Sequence, residues 1–106
     1  MSNTGQTIYG NVAVNWTAST SSSSLSVTIT AGGPTNIIGS MTFTPTTLNQ
    51  LLTYENNQQS ASGTFSAEFS ADAKSGTLSC KDFKWDLTSG PGGPITGIVG
   101  IWNQST

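Results

Sequence analysis

The chain has 106 residues, the length of one domain, and only 8% of them are charged, against about 25% in an average soluble domain. Three basic residues cannot neutralise a phosphate backbone, which argues against nucleic acid as a partner and against a polybasic membrane site. The lack of histidine removes the imidazole base and the imidazole metal ligand, and with them catalysis by a histidine triad.

The first predicted strand covers residues 6–17, where apolar and polar side chains alternate. A loop of small hydroxyl side chains follows at residues 18–23, and a second alternating strand covers residues 24–30. The inward set of these two strands is Ile8, Val12, Val14, Trp16, Leu25, Val27 and Ile29; Tyr9, Asn11 and Asn15 are in the outward set.

A turn at Gly32-Gly33-Pro34 leads into the third predicted strand, which Pro45 ends. The period of the apolar residues then changes from two to that of a helix. Thr47 and Gln50 fit a capping box, and leucines follow at helical spacing, so the pattern predicts a short helix over residues 47–57. In the third strand the inward set is Ile37, Gly39, Met41 and Phe43, and Ile38 is outward.

The second half of the chain predicts three further strands. One contains Phe65, Ala67 and Phe69, and a glycine-containing turn at residues 72–76 follows it. In the next, the inward parity switches between Cys80 and Phe83, which predicts a β-bulge near Lys81 or Asp82. The last strand is predicted to place Ile95, Val99 and Ile101 on one face, with Ile98 and Trp102 on the other.

Two similar stretches suggest an internal repeat. Gly32-Gly33-Pro34 and Gly92-Gly93-Pro94 each precede an apolar strand that contains glycine, and the segments upstream of them match at a constant offset. We interpret residues 6–44 and 60–103, approximately, as two pseudo-repeats of three strands. The prediction is a single all-β domain at residues 1–106: a six-stranded, mainly antiparallel β-sandwich or barrel, with the short helix between the repeats.

Few residues offer reactive chemistry. A single cysteine, Cys80, cannot form an internal disulfide, and its apolar neighbours predict a buried, unreactive thiol. Of the five carboxylates, Glu68 and Asp82 are the pair that a hairpin could bring together, but we expect them to be solvated beside lysines. We therefore predict that the protein is not an enzyme and binds no cofactor and no metal.

Aromatic and amide side chains suggest a binding role instead. An exposed aromatic ring covers the apolar face of a sugar, while neighbouring amides bond its hydroxyl groups. The outward parity of Tyr9 and Trp102 predicts exposed rings of this kind near amide side chains. We predict a lectin-like, carbohydrate-binding protein, and its candidate ligand-binding residues are Tyr9, Asn11, Trp102, Asn103 and Gln104.

Other functions fit the same composition. Serines and threonines are predicted to line the outer face of residues 24–30 and 40–44, a flat, uncharged surface for a glycan, ice or another copy of the chain. A homo-oligomeric coat or adhesive protein is therefore one alternative, and a membrane-active toxin or lipid-binding protein is another. Residues 1–10 lack the basic and apolar regions of a signal peptide, so we expect a cytoplasmic or non-classically released protein unless this chain is a mature form.

Overall fold

The computed structural model describes residues 3–104 and shows eight antiparallel strands in two four-stranded sheets. Consecutive strands are neighbours within each sheet, so each sheet is a meander. The first sheet contains β1 (Thr4–Tyr9), β2 (Val12–Ser19), β3 (Ser24–Ala31) and β4 (Ile37–Phe43). The second contains β5 (Asn49–Asn56), β6 (Gln59–Phe69), β7 (Ser75–Leu87) and β8 (Gly90–Asn103).

The all-β, mainly antiparallel prediction is confirmed, while the strand number and the barrel alternative are wrong. There are eight strands rather than six, and the two sheets do not close into a barrel. Their inner faces share one core, in which Val14, Ile29, Phe65 and Phe83 are fully buried. No helix of the described residues is long and apolar enough to cross a membrane.

The predicted helix at residues 47–57 is wrong, because this segment is strand β5. Thr47 is part of a tight turn, where its backbone N–H donates to the Thr44 carbonyl and its carbonyl accepts from the Thr44 N–H. Of the leucines in this segment, only Leu52 is buried, where it packs against Gly39, while Leu51 is 72% exposed. The leucine spacing is therefore not one buried helical face, and pairing with β6 determines the structure.

The first predicted strand is two strands. A two-residue hairpin at Gly10 and Asn11 separates β1 from β2, with Tyr9 paired to Val12. Gly10 has a φ of +64°, which glycine adopts without strain. The turn reverses the parity of the segment before it, so Ile8 is 62% exposed and Tyr9 packs against the core.

Bulges cause the remaining errors of parity. Ile38 has no partner in the β3–β4 register, and it is buried while Ile37 is exposed, the reverse of the prediction. Val99 has no partner in the β7–β8 register. Because this bulge changes the parity of β8, Val99 and Trp102 both face the core and are buried. The bulge predicted near Lys81 or Asp82 is confirmed, since neither residue has a partner in β8.

Each of the three tryptophan rings lies over a glycine of the neighbouring strand. Trp16 pairs with Gly5, Trp85 with Gly92, and Trp102 with Gly76. A Cβ atom at any of these glycines would overlap the indole ring, and so would one at Gly100, which meets Trp16 from β8. The rings therefore take the space that side chains would fill, a packing known to stabilise glycine within strands.

The two predicted pseudo-repeats fall in different sheets. Residues 6–44 lie within the first sheet and its connections, and residues 60–103 within the second. The first predicted repeat holds four strands rather than three, because its first strand divides into β1 and β2, whereas β5 precedes the second predicted repeat and completes that meander. The repeat itself stays a prediction.

Candidate functional site

The five predicted binding residues do not form one site. Tyr9 and Asn11 adjoin the β1–β2 turn, whereas Trp102, Asn103 and Gln104 lie at the last residues of β8 and beyond. Strand β8 begins at the β7–β8 turn and ends beside Ser75, at the opposite end of β7. Only Asn11 is therefore close to the surface that we describe below.

Tyr9 is half-buried and faces the core. Its ring lies 6.1 Å from that of Phe83 and 6.4 Å from that of Trp85, between ring centroids. Burial raises the pKa of both the Tyr9 phenol and the Cys80 thiol. Tyr9 thus joins the two sheets rather than presenting a ring to solvent.

Trp102 is 1% exposed, which contradicts the exposed ring inferred from its parity. The bulge at Val99 turns its side chain inward, where the ring packs edge-on against Phe69 at 5.3 Å. Asn103 is exposed, and the backbone N–H of Gln104 donates to the Lys74 carbonyl at 2.7 Å. Because the Trp102 ring is buried, it does not give these amides the exposed aromatic surface that the prediction required.

Four hairpin turns gather at one end of the molecule, which we call the turn end: the β1–β2, β3–β4, β5–β6 and β7–β8 turns. The Gly32 N–H donates to the Asn11 carbonyl at 3.1 Å, and the Thr88 N–H donates to the Gln59 side-chain oxygen at 2.9 Å. The Asn11 side-chain amide donates to the Ser89 hydroxyl, which links the first sheet to the second.

A groove of about 580 Å³ runs over the outer face of the first sheet at the turn end. We call it the outer groove. Gln6, Asn15 and Thr28 form a row across three strands, in which the Gln6 amide donates to the Asn15 side-chain oxygen at 2.6 Å. The Asn15 amide donates to the Thr28 carbonyl at 3.3 Å. The lining residues are Gln6, Asn11, Ala13, Asn15, Thr28, Thr30, Gly33 and Pro34.

A second depression of about 340 Å³ lies between the sheets at the same end, and we call it the end pocket. The half-buried ring of Tyr54 is its aromatic side chain, and Asn36, Gln59, Thr88 and Ser89 supply amide and hydroxyl groups. The Asn36 amide is held by the Ala31 carbonyl at 2.6 Å. The other lining residues are Ala31, Gly32, Ile38 and Leu87.

Charge separates these two depressions from others on the molecule. Neither the outer groove nor the end pocket has a charged lining residue. Three further depressions each contain at least one, for example Asp72 in one, Lys84 with Asp86 in another, and Lys81 with Asp82 in the third. The turn end is therefore suited to a neutral ligand that is bound by hydrogen bonds and apolar contact.

The register of β6 and β7 does not place Glu68 opposite Asp82. Glu68 lies opposite Thr77 in β7, five residues from Asp82, so the suggested meeting across the hairpin is wrong. Within residues 3–104, no three metal-ligating side chains of the His, Cys, Asp or Glu types cluster closely enough to hold a metal ion. The Cys80 side chain is buried, as predicted, and its thiol lies 3.6 Å from the Ile95 carbonyl.

Sequence reasoning missed most of the turn end. Tyr54 was assigned to a helix. Gln59 begins β6, Thr88 and Ser89 form the β7–β8 turn, and their approach depends on how the second meander folds. The available signal was the run of amides at 56–59, which follows an aromatic residue and precedes a strand. The comparisons with known proteins add no relative: the chain matches no protein-family model, no curated protein and no solved structure.

Proposed function

We propose that this is a non-enzymatic carbohydrate-binding protein whose site is the turn end. The observation that carries the proposal is the pair of adjoining, charge-free depressions, one of which combines an aromatic ring with amides and hydroxyls. Sugars offer hydroxyl groups to amides and an apolar C–H face to a ring, so these side chains match their chemistry.

The chemistry of Tyr54 supports the end pocket as the place where a sugar ring stacks. Its side chain is half-buried and packs partly against the core, which holds the ring in one orientation. Asn36 and Gln59 line the same pocket, and each already has one hydrogen bond to the protein that fixes its amide. Pre-oriented groups lose less conformational entropy when a ligand binds.

A glycan-array screen, followed by isothermal titration with the best free sugar, tests the proposal. We expect selective binding that free sugar competes away. Tyr54→Ala should weaken it at least tenfold, while Thr53→Ala, an exposed neighbour on the same strand, should leave it unchanged. Thermal unfolding of both variants would show that they remain folded. An array without selective binding, or equal binding by Tyr54→Ala, would refute the proposed function.

Self-association is a second candidate, and three isoleucines favour it. Ile8, Ile98 and Ile101 are 62–65% exposed and lie along the junction where β1 meets β8. The Thr7 hydroxyl donates to the Val99 carbonyl at this junction, and Ile98 and Ile101 lie opposite Ser79 and Thr77, so no charged residue is among these neighbours. Such a patch can meet a second copy without repulsion between like charges.

Sedimentation of the protein over a range of concentrations tests this second candidate. A dimer or larger species should form, and Ile98→Thr with Ile101→Thr should return it to the monomer mass. A wild-type protein that stays monomeric at all concentrations would exclude self-association.

A further inference from the structure

We propose that the outer groove and the end pocket are two subsites of one extended site for a neutral oligosaccharide of two or more units. This inference rests on the proposed function and adds the size and charge of the ligand. The β3–β4 turn borders both depressions on one side, and the hydrogen bond between Asn11 and Ser89 joins them on the other.

The two depressions share the β3–β4 turn. Gly33 and Pro34 line the outer groove, whereas Gly32 and Asn36 line the end pocket, so one short turn borders both. A ligand that is bound in one depression and extends past this turn therefore reaches the other depression.

A hydrogen bond crosses the junction on the other side. Asn11 lines the outer groove, Ser89 lines the end pocket, and the Asn11 amide donates to the Ser89 hydroxyl. An amide group has two donor hydrogens and one acceptor oxygen, so Asn11 keeps hydrogen-bonding capacity after this contact. We assign to it the linkage between two sugar units, where oxygen atoms of both units are close together.

The size of the depressions fits more than one sugar. Volumes of about 580 Å³ and 340 Å³ each lie within the range of roughly 300–1,000 Å³ that is typical of small-ligand sites. A monosaccharide would occupy one subsite and leave the other solvated. A longer chain would fill both and gain affinity because the second unit is held close to its subsite.

The lack of charge selects the type of sugar. A uronic acid or sulfated unit would bring a carboxylate or sulfate against linings that contain no lysine. Placing an anion there without a partner costs free energy, whereas a neutral hydroxyl group does not carry this penalty. We therefore expect discrimination against acidic oligosaccharides of the same length.

Titration calorimetry with three neutral series tests the inference: glucose to cellotetraose, N-acetylglucosamine to chitotetraose, and mannose to mannotetraose. In the series that binds, we expect the tetramer to bind at least tenfold more tightly than the monomer. Asn15→Ala, a groove variant, should remove most of this gain, so that the variant binds the tetramer little more tightly than the monomer. Ser79→Ala, on the outer face of the second sheet, is the matched control and should change neither value.

The outcomes separate this inference from the proposed function. If no series binds, both are overturned. If monomer and tetramer bind equally, or if Asn15→Ala keeps the full gain while monosaccharide binding persists, the extended site is overturned and the carbohydrate-binding function stands. Tighter binding of oligogalacturonate than of the neutral tetramer would overturn the charge selection.

Discussion

The two sheets have the same topology but very different charge. All eight charged side chains lie between Glu55 and Asp86, in the second sheet and its turns, and residues 3–54 contain none. The outer face of the first sheet instead carries rows of hydroxyl and amide groups, such as Gln6, Asn15, Thr28 and Ser40. The second sheet therefore supplies the charge that aids solubility, and the first sheet is the uncharged surface for which we propose a neutral ligand.

The sheets differ in regularity as well. Strands of the first sheet have 6–8 residues and one register shift, while β7 and β8 have 13 and 14 residues and shift register three times. Bulges bend a strand, and here the bulge at Lys81 and Asp82 allows Phe83 and Trp85 to pack on Tyr9 of the other sheet. The regular first sheet thus has an even outer face. In the irregular second sheet, the bulge directs Phe83 and Trp85 into the core at the turn end.

The largest effect should come from Gly76→Ala. A Cβ atom there would overlap both the Trp102 ring and the Glu68 carbonyl oxygen, and backbone atoms cannot rotate away. We expect the free energy of unfolding to fall by about 3 kcal/mol, at the upper end of overpacking effects. Gly5→Ala meets only the Trp16 ring, on the edge strand β1, and should cost less.

Urea denaturation of both glycine variants, with Thr77→Ala as the neighbouring control, makes this comparison. Equal losses for Gly5→Ala and Gly76→Ala would show that the two sheets hold their tryptophans equally firmly. An unchanged free energy for Gly76→Ala would contradict the packing of Trp102 against this glycine.

Charge placed in the uncharged sheet should affect binding next. Ala13→Arg puts a long cationic side chain into the outer groove, and we expect oligosaccharide affinity to fall at least tenfold. Since Ala13 is only half-buried on the outer face, unfolding free energy should change by no more than about 0.5 kcal/mol. As the control, Ser79→Arg on the second sheet should bind the oligosaccharide as tightly as the wild type does. Weaker binding by Ser79→Arg would show that the site is not confined to the first sheet and the turn end.

Stability should decrease at alkaline pH, through a contact that joins the sheets. Burial raises the pKa of Tyr9 and of Cys80 above their unfolded values, so both groups hold protons in the folded state that the unfolded chain releases. Their contribution is complete below the unfolded pKa values and is lost as pH rises through the folded ones. Tyr9→Phe should flatten this alkaline decrease in urea denaturation, and an identical pH profile would contradict the account.

A smaller effect is expected at acid pH. The Ser70 hydroxyl and the Lys74 backbone N–H hydrogen-bond the Asp72 carboxylate and lower its pKa. The lowered pKa stabilises the fold above the unfolded value and is lost as pH falls through the folded value. Because Asp72 is fully exposed, Asp72→Asn should shift the acid profile only slightly, and a large shift would contradict this.

Alternation alone could predict the strands but not their faces beyond a bulge. Val12, Val14, Leu25, Val27 and Ile29 are buried as predicted, because no irregularity interrupts their pattern. Ile38 and Val99 are each unpaired at a bulge. Beyond Val99, the side chains that the alternation places inward face outward, and those that it places outward face inward. The bulge at Lys81 and Asp82 was predictable because long apolar residues on both sides made the change of parity visible.

The candidate site was less predictable than the fold. Asn11 is the predicted binding residue that lines the proposed site, and its selection rested on a neighbouring aromatic residue, Tyr9, that packs against the core. The approach of Asn11 to Ser89, and of Gln59 to Thr88, depends on how two meanders place their turns at one end. Trp102 was misplaced for a single reason, since one bulge changed an outward ring into a core ring.

Amide chemical-shift mapping during titration with a saturating neutral oligosaccharide tests the central claim most directly. The account predicts that the largest shifts cluster at the turn end, at Asn11, Asn15, Tyr54 and Ser89, while Ser66 and Ser79 on the outer face of the second sheet stay unchanged. Shifts concentrated on the outer face of the second sheet, or around Asn103 and Gln104 at the opposite end of the molecule, would contradict it.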